Sequence, residues 1–332
     1  MINRTETDIM KKWKGTPDFP LLTIRCNTYN QEAYISQTID GFLMQETDFP
    51  FRIVIHDDAS TDKTGEIIKA YTQQYPNIII PIVEKENQYS KYDGSILRIT
   101  RPFLMGKYLA FCEGDDYWID SYKLQKQVDF LEKNPEYVLC YTNFNILHQQ
   151  NGKMEMNLIT TRPDNFKQQY TLEQWLTYPG YTAPMTWVFR KEVFDAFEFI
   201  PSCDGTFVQF AHFLHTGKVH CMKEDTTAVY RVLMESASHS SNPHVYYKRI
   251  KDLRHVQKVL AKRYNMGLEV EHRIDVVYFS RFYKLICLLG TKQERDELAA
   301  HCTAFPQKAV LLLSNSPLAK KAMFWVYNHK RG

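Results

Sequence analysis

Two periodicities alternate through the first 145 residues. LLTIRC (21–26), FRIVIHDD (51–58), NIIIPIV (77–83), YLAFC (108–112) and VLCYTNFNIL (138–147) are short apolar runs, suited to strands covered on both faces. Between them apolar residues recur at helical spacing. Ile35, Ile39, Phe42 and Leu43 form one stripe, and Leu124, Val128 and Leu131 form another that Pro135 stops. In STDKTGEIIKAYTQQY, Ser60 or Thr61 can cap a helix whose positive end suits Asp62. A further helix is expected around 95–104. Strands alternating with helices at this pitch predict an α/β fold with a mainly parallel, doubly wound sheet.

The second half is less regular. TLEQWL (171–176) reads as a helix, MTWVFR (185–190) as a strand, and GTFVQFAHFLHTG as a helix starting just after Asp204. KVHCM and TTAVYRVL read as two sheet segments. From Pro243 onward the pattern becomes successive amphipathic helices. The expected division is therefore an α/β domain over 1–240 and a helical C-terminal region over 241–332.

Composition narrows the class. The chain has 332 residues, 44% hydrophobic and 24% charged, as in a soluble globular protein with one large core and an appended unit. A net charge of +3 gives no global argument for a nucleic-acid partner, and none is expected. No apolar run approaches the ~18 residues of a membrane-spanning helix, and the first residues lack the apolar core of a signal peptide. Seven scattered cysteines without a CxxC pair fit free thiols in a reducing cytoplasm better than disulfides or zinc.

Doubly wound sheets bind ligands beyond the carboxyl ends of their strands, and here three such ends are polar. The first closes in Asn27-Thr28-Tyr29-Asn30, the second in Asp57-Asp58-Ala59-Ser60-Thr61-Asp62, and the fourth in Glu113-Gly114-Asp115-Asp116. Adjacent aspartates repel, and no basic residue neighbours them in sequence. A divalent cation or a donor-rich ligand would complete such a site. The plain alternative makes each cluster a capped turn, with Asp115 and Asp116 capping a helix near Ile119.

The order of these clusters, and the stretch GDDYWIDSYKLQKQVDFLEKNP above all, resembles family 2 glycosyltransferases of the GT-A fold, in particular bacterial enzymes of surface polysaccharides. The resemblance covers roughly residues 20–235 and implies a GT-A, Rossmann-like sheet flanked by helices. It implies a nucleotide-sugar donor, most simply a UDP-sugar, with Mn²⁺ or Mg²⁺ on Asp116 and Asp115 near the ribose. Asp58 would accept from the base, Asp57 would support its loop, and Thr28, Asn30 and Asn27 would line the base and ribose pocket. Arg98 is the first candidate to meet the diphosphate. Asp204 best matches the base of an inverting transfer, with a plain helix cap as the alternative. Leu233 stands where many relatives carry a histidine, so His239 is the candidate second metal group, a solvated loop being the other reading.

The implied acceptor is a glycan or lipid-linked glycan met on the cytoplasmic side. The tail LAKKAMFWVYNHKRG interleaves basic residues with Phe324, Trp325 and Tyr327 and resembles an interfacial anchor, which would give a peripheral membrane contact. Packing of those aromatics on preceding helices is the alternative. Two other functions stay open: a sugar nucleotidyltransferase, although CNTYNQEAY lacks the glycines of a triphosphate loop, and a non-catalytic nucleotide-sugar scaffold.

Overall fold

A computed structural model describes residues 3–164, 166, 169–233, 242–302, 304–314, 316, 318, 321 and 322. These divide into two compact units. The first comprises 3–170, 180–201 and 212–233; the second comprises 171–179, 202–211 and the described residues from 242 onward.

The first unit is built on one sheet of nine strands among the described residues. They are β1 (Leu22–Thr28), β2 (Phe51–Asp57), β3 (Ile79–Val83), β4 (Tyr108–Phe111), β5 (Tyr117–Trp118), β6 (Tyr137–His148), β7 (Lys153–Glu155), β8 (Val188–Arg190) and β9 (Lys218–Val232). The order is β3-β2-β1-β4-β8-β6-β9-β5, with β7 paired to β6. The half made by β3, β2, β1 and β4 is parallel throughout. Beyond it the sheet is mixed: β8 runs antiparallel to β4 and β6, and β9 runs parallel to β6. The expected GT-A-like α/β sheet flanked by helices is therefore present, followed by the helical C-terminal region.

Why each element forms is largely local. The helix Ile35–Leu43 buries the stripe Ile35, Ile39, Phe42 and Leu43, and the helix Lys123–Lys133 buries Leu124, Val128 and Leu131. Several boundaries differ from the sequence expectation. The helix after β2 begins only at Thr64, because Ser60 is drawn into a contact with the β1 loop. Asp62 serves both sides, its Oδ1 accepting from Thr64 N at the helix start at 2.9 Å and its Oδ2 from Glu32 N. The helix expected at 95–104 is α-helical over Ser95–Thr100 and tightens to a 3₁₀ turn at Arg101–Phe103, where Pro102 has no N–H to continue the ladder. No helix follows Asp116 near Ile119. The chain enters β5 instead, which pairs Tyr117 with Val229 and Trp118 with Ala228. KVHCM and TTAVYRVL form one strand, β9, whose register against β6 shifts around Thr142–Phe144.

The second unit is helical: Leu172–Thr177, Pro243–Arg263, Leu268–Leu289, Lys292–His301 and Phe305–Leu313, with the first turns of Gly205–Thr216. Its core gathers Tyr247, Ile250, Tyr278, Phe279, Leu285 and Ile286. Trp175 stacks on Phe207 at 5.6 Å between centroids. Arg254 and Lys258 meet Asp275 at 2.7 and 2.6 Å. No described helix is long and apolar enough to cross a membrane. Phe324, Trp325 and Tyr327 lie outside the described residues.

One core residue of the first unit is costly. Lys123 is fully buried, with its Nζ donating to Gln127 Oε1 at 2.7 Å and lying 4.3 Å from the Trp118 ring centroid. Burial pushes its ammonium down to about 7. Between that value and the ordinary lysine value the unfolded chain binds the extra proton, so stability rises with pH in that window. From pH 7 to 9 a denaturant titration of the wild type is expected to include a stabilising slope of about 1 kcal/mol per pH unit from this group. Lys123→Met should flatten that slope and be the more stable protein at pH 7. An unchanged slope would assign the pH dependence elsewhere.

Candidate active site

The site residues of the first unit follow from where β1, β2 and β4 end. β1 and β2 pair in register through Thr28 and Asp57, and the chain then turns sharply at both ends. Asn30 (φ 52°) and Ala59 (φ 63°) both sit in the left-handed region, which a non-glycine residue occupies at a cost of about 1–2 kcal/mol. Reciprocal hydrogen bonds hold the two turns. Asn30 N donates to Ser60 Oγ at 2.9 Å, Thr61 N donates to Asn30 Oδ1 at 2.7 Å, and Glu32 N donates to Asp62 Oδ2 at 3.0 Å.

The two aspartates at the close of β2, Asp57 within it and Asp58 just beyond, divide their work. Asp57 Oδ1 accepts from Ser60 N at 3.1 Å and so closes its own turn. Asp58, also buried, receives Gln88 N on Oδ1 at 2.6 Å and Tyr89 N on Oδ2 at 2.9 Å. Each oxygen keeps a second lone pair. Asp58 thereby fastens the segment after β3 over the β2 end.

At the end of β4, Gly114 N donates to Asn27 O at 2.9 Å. A Cβ on Gly114 would lie 2.4 Å from Gln31 Oε1 and 2.7 Å from Thr28 Oγ1, so only glycine fits between Glu113 and Asp115. The Thr28 hydroxyl donates to Gln31 Oε1 at 2.7 Å. The Thr38 hydroxyl reaches Gly114 O at 2.9 Å and Asp116 O at 2.6 Å, which ties the acidic turn to the helix Ile35–Leu43.

Asp116 is only 5% exposed. Its Oδ1 accepts from Arg231 N at 2.8 Å, and its Oδ2 receives no hydrogen bond among the described residues. Burial, and then the neighbouring Asp115 charge, push its carboxyl well above the usual carboxylate range. Burial also raises Asp115 and Glu113. The Arg231 guanidinium offsets only part of this effect, and Asp116 presents one open oxygen, which suits a cation that completes its shell with water and ligand oxygens. Among the described residues no three His, Cys, Asp or Glu side chains converge as a full protein cage.

Arg231 is the site residue that sequence reasoning missed. It lies at the end of β9, 5% exposed, between the rings of Tyr34 (4.7 Å) and Tyr117 (5.1 Å). Its Nε donates to Asp115 O, Nη1 to Gln149 Oε1 and Nη2 to Gln37 Oε1, each at 2.7 Å. One residue thus holds Asp115 through its side chain and Asp116 through its main chain. Its signal was the YR pair closing TTAVYRVL, but 115 residues separate Arg231 from Asp116 and no local spacing links them.

The remaining candidates fall elsewhere. Arg98 turns to Asp93, donating to Asp93 O and to Oδ2 at 2.9 Å, and lines a cleft of about 750 Å³ with Arg101, Phe197 and Phe199. In the second unit, Asp204 Oδ1 accepts from Phe207 N at 2.9 Å as a helix cap, and its Oδ2 meets Arg249 Nη2 at 3.2 Å. His239 lies outside the described residues. Among the described residues, none of the seven cysteines forms a disulfide.

Comparison with known proteins places this geometry. The Mycobacterium tuberculosis protein Rv1520, uncharacterized, is 41% identical over 128 residues, 38% of this chain and 36% of its own length. The Escherichia coli UDP-Glc:alpha-D-GlcNAc-diphosphoundecaprenol beta-1,3-glucosyltransferase WfaP is 30% identical over 126 residues, 38% of this chain and 47% of its own. The chain therefore spans less than half the length of these two curated relatives. Staphylococcus aureus TarS 1-349 in complex with UDP-GlcNAc superposes with a TM-score of 0.59 at 16% identity, over 91% of this chain and 87% of that one. Mannosyltransferase PcManGT from Pyrobaculum calidifontis, in complex with GDP-Man and Mn²⁺, gives 0.52 at 13% identity, over 93% and 88%. These likenesses show the GT-A fold. The pattern of glycosyl transferase family 2 matches residues 27–197, just over half the chain, so the protein belongs to glycosyl transferase family 2.

Proposed function

We propose that this glycosyltransferase moves a sugar from a nucleotide-sugar donor, a UDP-sugar in the simplest case, to a glycan or lipid-linked acceptor of a surface polysaccharide. The transfer is metal-dependent and inverting. The observation that carries the reading is the buried acidic turn, where Asp116 holds one oxygen open under a charge deficit.

In this reading Asp116 holds Mn²⁺ or Mg²⁺, and Asp115 faces the ribose. The cation, when bound, supplies the positive charge that a departing diphosphate needs. Thr28, Asn30 and Asn27 line the base and ribose pocket, while Asp58 accepts from the base through its remaining lone pairs and Asp57 keeps its turn closed. Arg98 would have to leave Asp93 to reach a diphosphate, so it contributes less than the acidic turn. Asp204 takes the acceptor's proton as the general base. Its cap to Phe207 N occupies Oδ1 and leaves Oδ2, shared with Arg249, as the basic oxygen. A cytoplasmic enzyme working at the inner face of a membrane fits the acceptor class. WfaP, whose name gives a diphosphoundecaprenol-linked acceptor, is the relative that favours it.

A thermal-shift screen of UDP, GDP and dTDP and their sugars, with and without Mn²⁺, tests the donor assignment. A metal-dependent shift with one nucleotide family is expected, and indifference to all of them would refute the reading. Asp116→Ala should lower turnover about 10²-fold or more, read as nucleotide release from the donor that binds. Asp204→Asn should leave donor binding within about twofold of the wild type while abolishing transfer; a variant that transfers normally would remove Asp204 from the chemistry. Arg231→Lys retains charge, but donors that diverge from a single Nζ cannot reach acceptors arrayed around a planar guanidinium. It is expected to weaken Mn²⁺-dependent nucleotide binding about tenfold with little change in thermal midpoint, and wild-type binding would show that the brace is dispensable.

A further inference from the structure

Beneath the strand ends, on one face of the sheet, lies a set of polar groups that the acidic turn does not use. Register places Arg25 beside Val54 and Phe111, and Asn27 beside His56, so Arg25, Asn27 and His56 share that face. Contacts agree: the Arg25 guanidinium lies 3.7 Å from the Phe111 ring centroid, and Asn27 Nδ2 reaches Glu113 Oε1 at 3.5 Å. His56 Nε2 stands 3.7 Å from Glu84 Oε1, too far for a hydrogen bond.

These groups are buried and unsatisfied. Arg25 is 7% exposed and His56 0%. The Arg25 guanidinium makes no ion pair or hydrogen bond among the described residues. Asn27 Oδ1 and both ring nitrogens of His56 are likewise unpartnered. Each such atom costs about 1–3 kcal/mol, so a fold that retains several of them side by side is built to receive something. Charge decides what. Glu84, Glu113 and the aspartates of β2 surround the set, which disfavours a phosphate. The guanidinium disfavours a cation. What remains is a neutral group that both donates and accepts, and the set offers it an N–H fork, an amide oxygen, a carboxylate and an imidazole.

We propose that Arg25, His56 and Glu113, together with the Oδ1 of Asn27, which also borders the ribose pocket, form a recess that reads neighbouring hydroxyls of the donor, those of the transferred sugar. The inference rests on the donor reading above and adds which residues discriminate the sugar. Ribose carries the same vicinal hydroxyls, so the test separates the two sources.

Binding of UDP and of its sugars (UDP-glucose, UDP-N-acetylglucosamine, UDP-galactose, UDP-glucuronate) with Mn²⁺ is measured by calorimetry on wild type, Arg25→Met and Glu113→Gln, beside thermal unfolding. Arg25→Met replaces a buried charge that makes no hydrogen bond among the described residues by an apolar chain of similar reach, so its thermal midpoint should stay close to the wild type's. The expected result is a fall of about tenfold or more in affinity for the preferred UDP-sugar, with UDP itself unchanged. Glu113→Gln should show the same split in smaller measure. An equal loss for UDP and UDP-sugar would overturn the sugar assignment and give the recess to ribose. Unaltered affinity for both in folded variants would overturn the proposal, leaving a recess that holds water only. A wild type that binds no nucleotide would instead remove the donor reading, and the recess with it.

Discussion

Two aspartates forced together at the buried end of a strand repel each other, and the surrounding structure is arranged to bear that repulsion. Thr38 gathers the turn's carbonyls, Arg231 braces the main chain of Asp115, and its own N–H neutralises one oxygen of Asp116. The single guanidinium of Arg231 offsets only part of the charge of the two aspartates. The turn is held in place while its acids outnumber the guanidinium beside them, the kind of charge imbalance that gathers at functional sites.

That constraint explains the long-range architecture of the first unit. The acidic turn comes from β4, its brace from β9, and its supporting hydroxyl from the helix between β1 and β2. β5 is only two residues long, yet it sets Tyr117 against Val229 and so brings the end of β9 up to Asp116. The mixed half of the sheet thus serves the parallel half: β9 has to run far enough past β6 for Arg231 to arrive.

Much of this was legible in the sequence, because alternation of periodicities and polar strand ends are local signals. The strands at 22–28, 51–57, 79–83 and 108–111 and the two amphipathic stripes follow from nearest neighbours. What local pattern could not give was the competition between partners. Ser60 looks like a helix cap until Asn30 N, thirty residues away, claims its hydroxyl. Arg98 looks free for a phosphate until Asp93 occupies it. Arg231 looks like an ordinary strand residue until three acceptors from three elements converge on it. Asp204 caps its helix through one oxygen, and the proposed base role falls to the other, which Arg249 also holds.

The grip of Asp58 on the peptide N–H groups of Gln88 and Tyr89 carries one more implication. A carboxylate that clasps a connecting segment and also takes the base contact proposed above would make the order of that segment and the occupancy of the pocket two ends of one equilibrium. A defect measured after altering Asp58 therefore sums a missing contact and a slackened flap. The two can be told apart only by following the mobility of residues 88–94 alongside affinity.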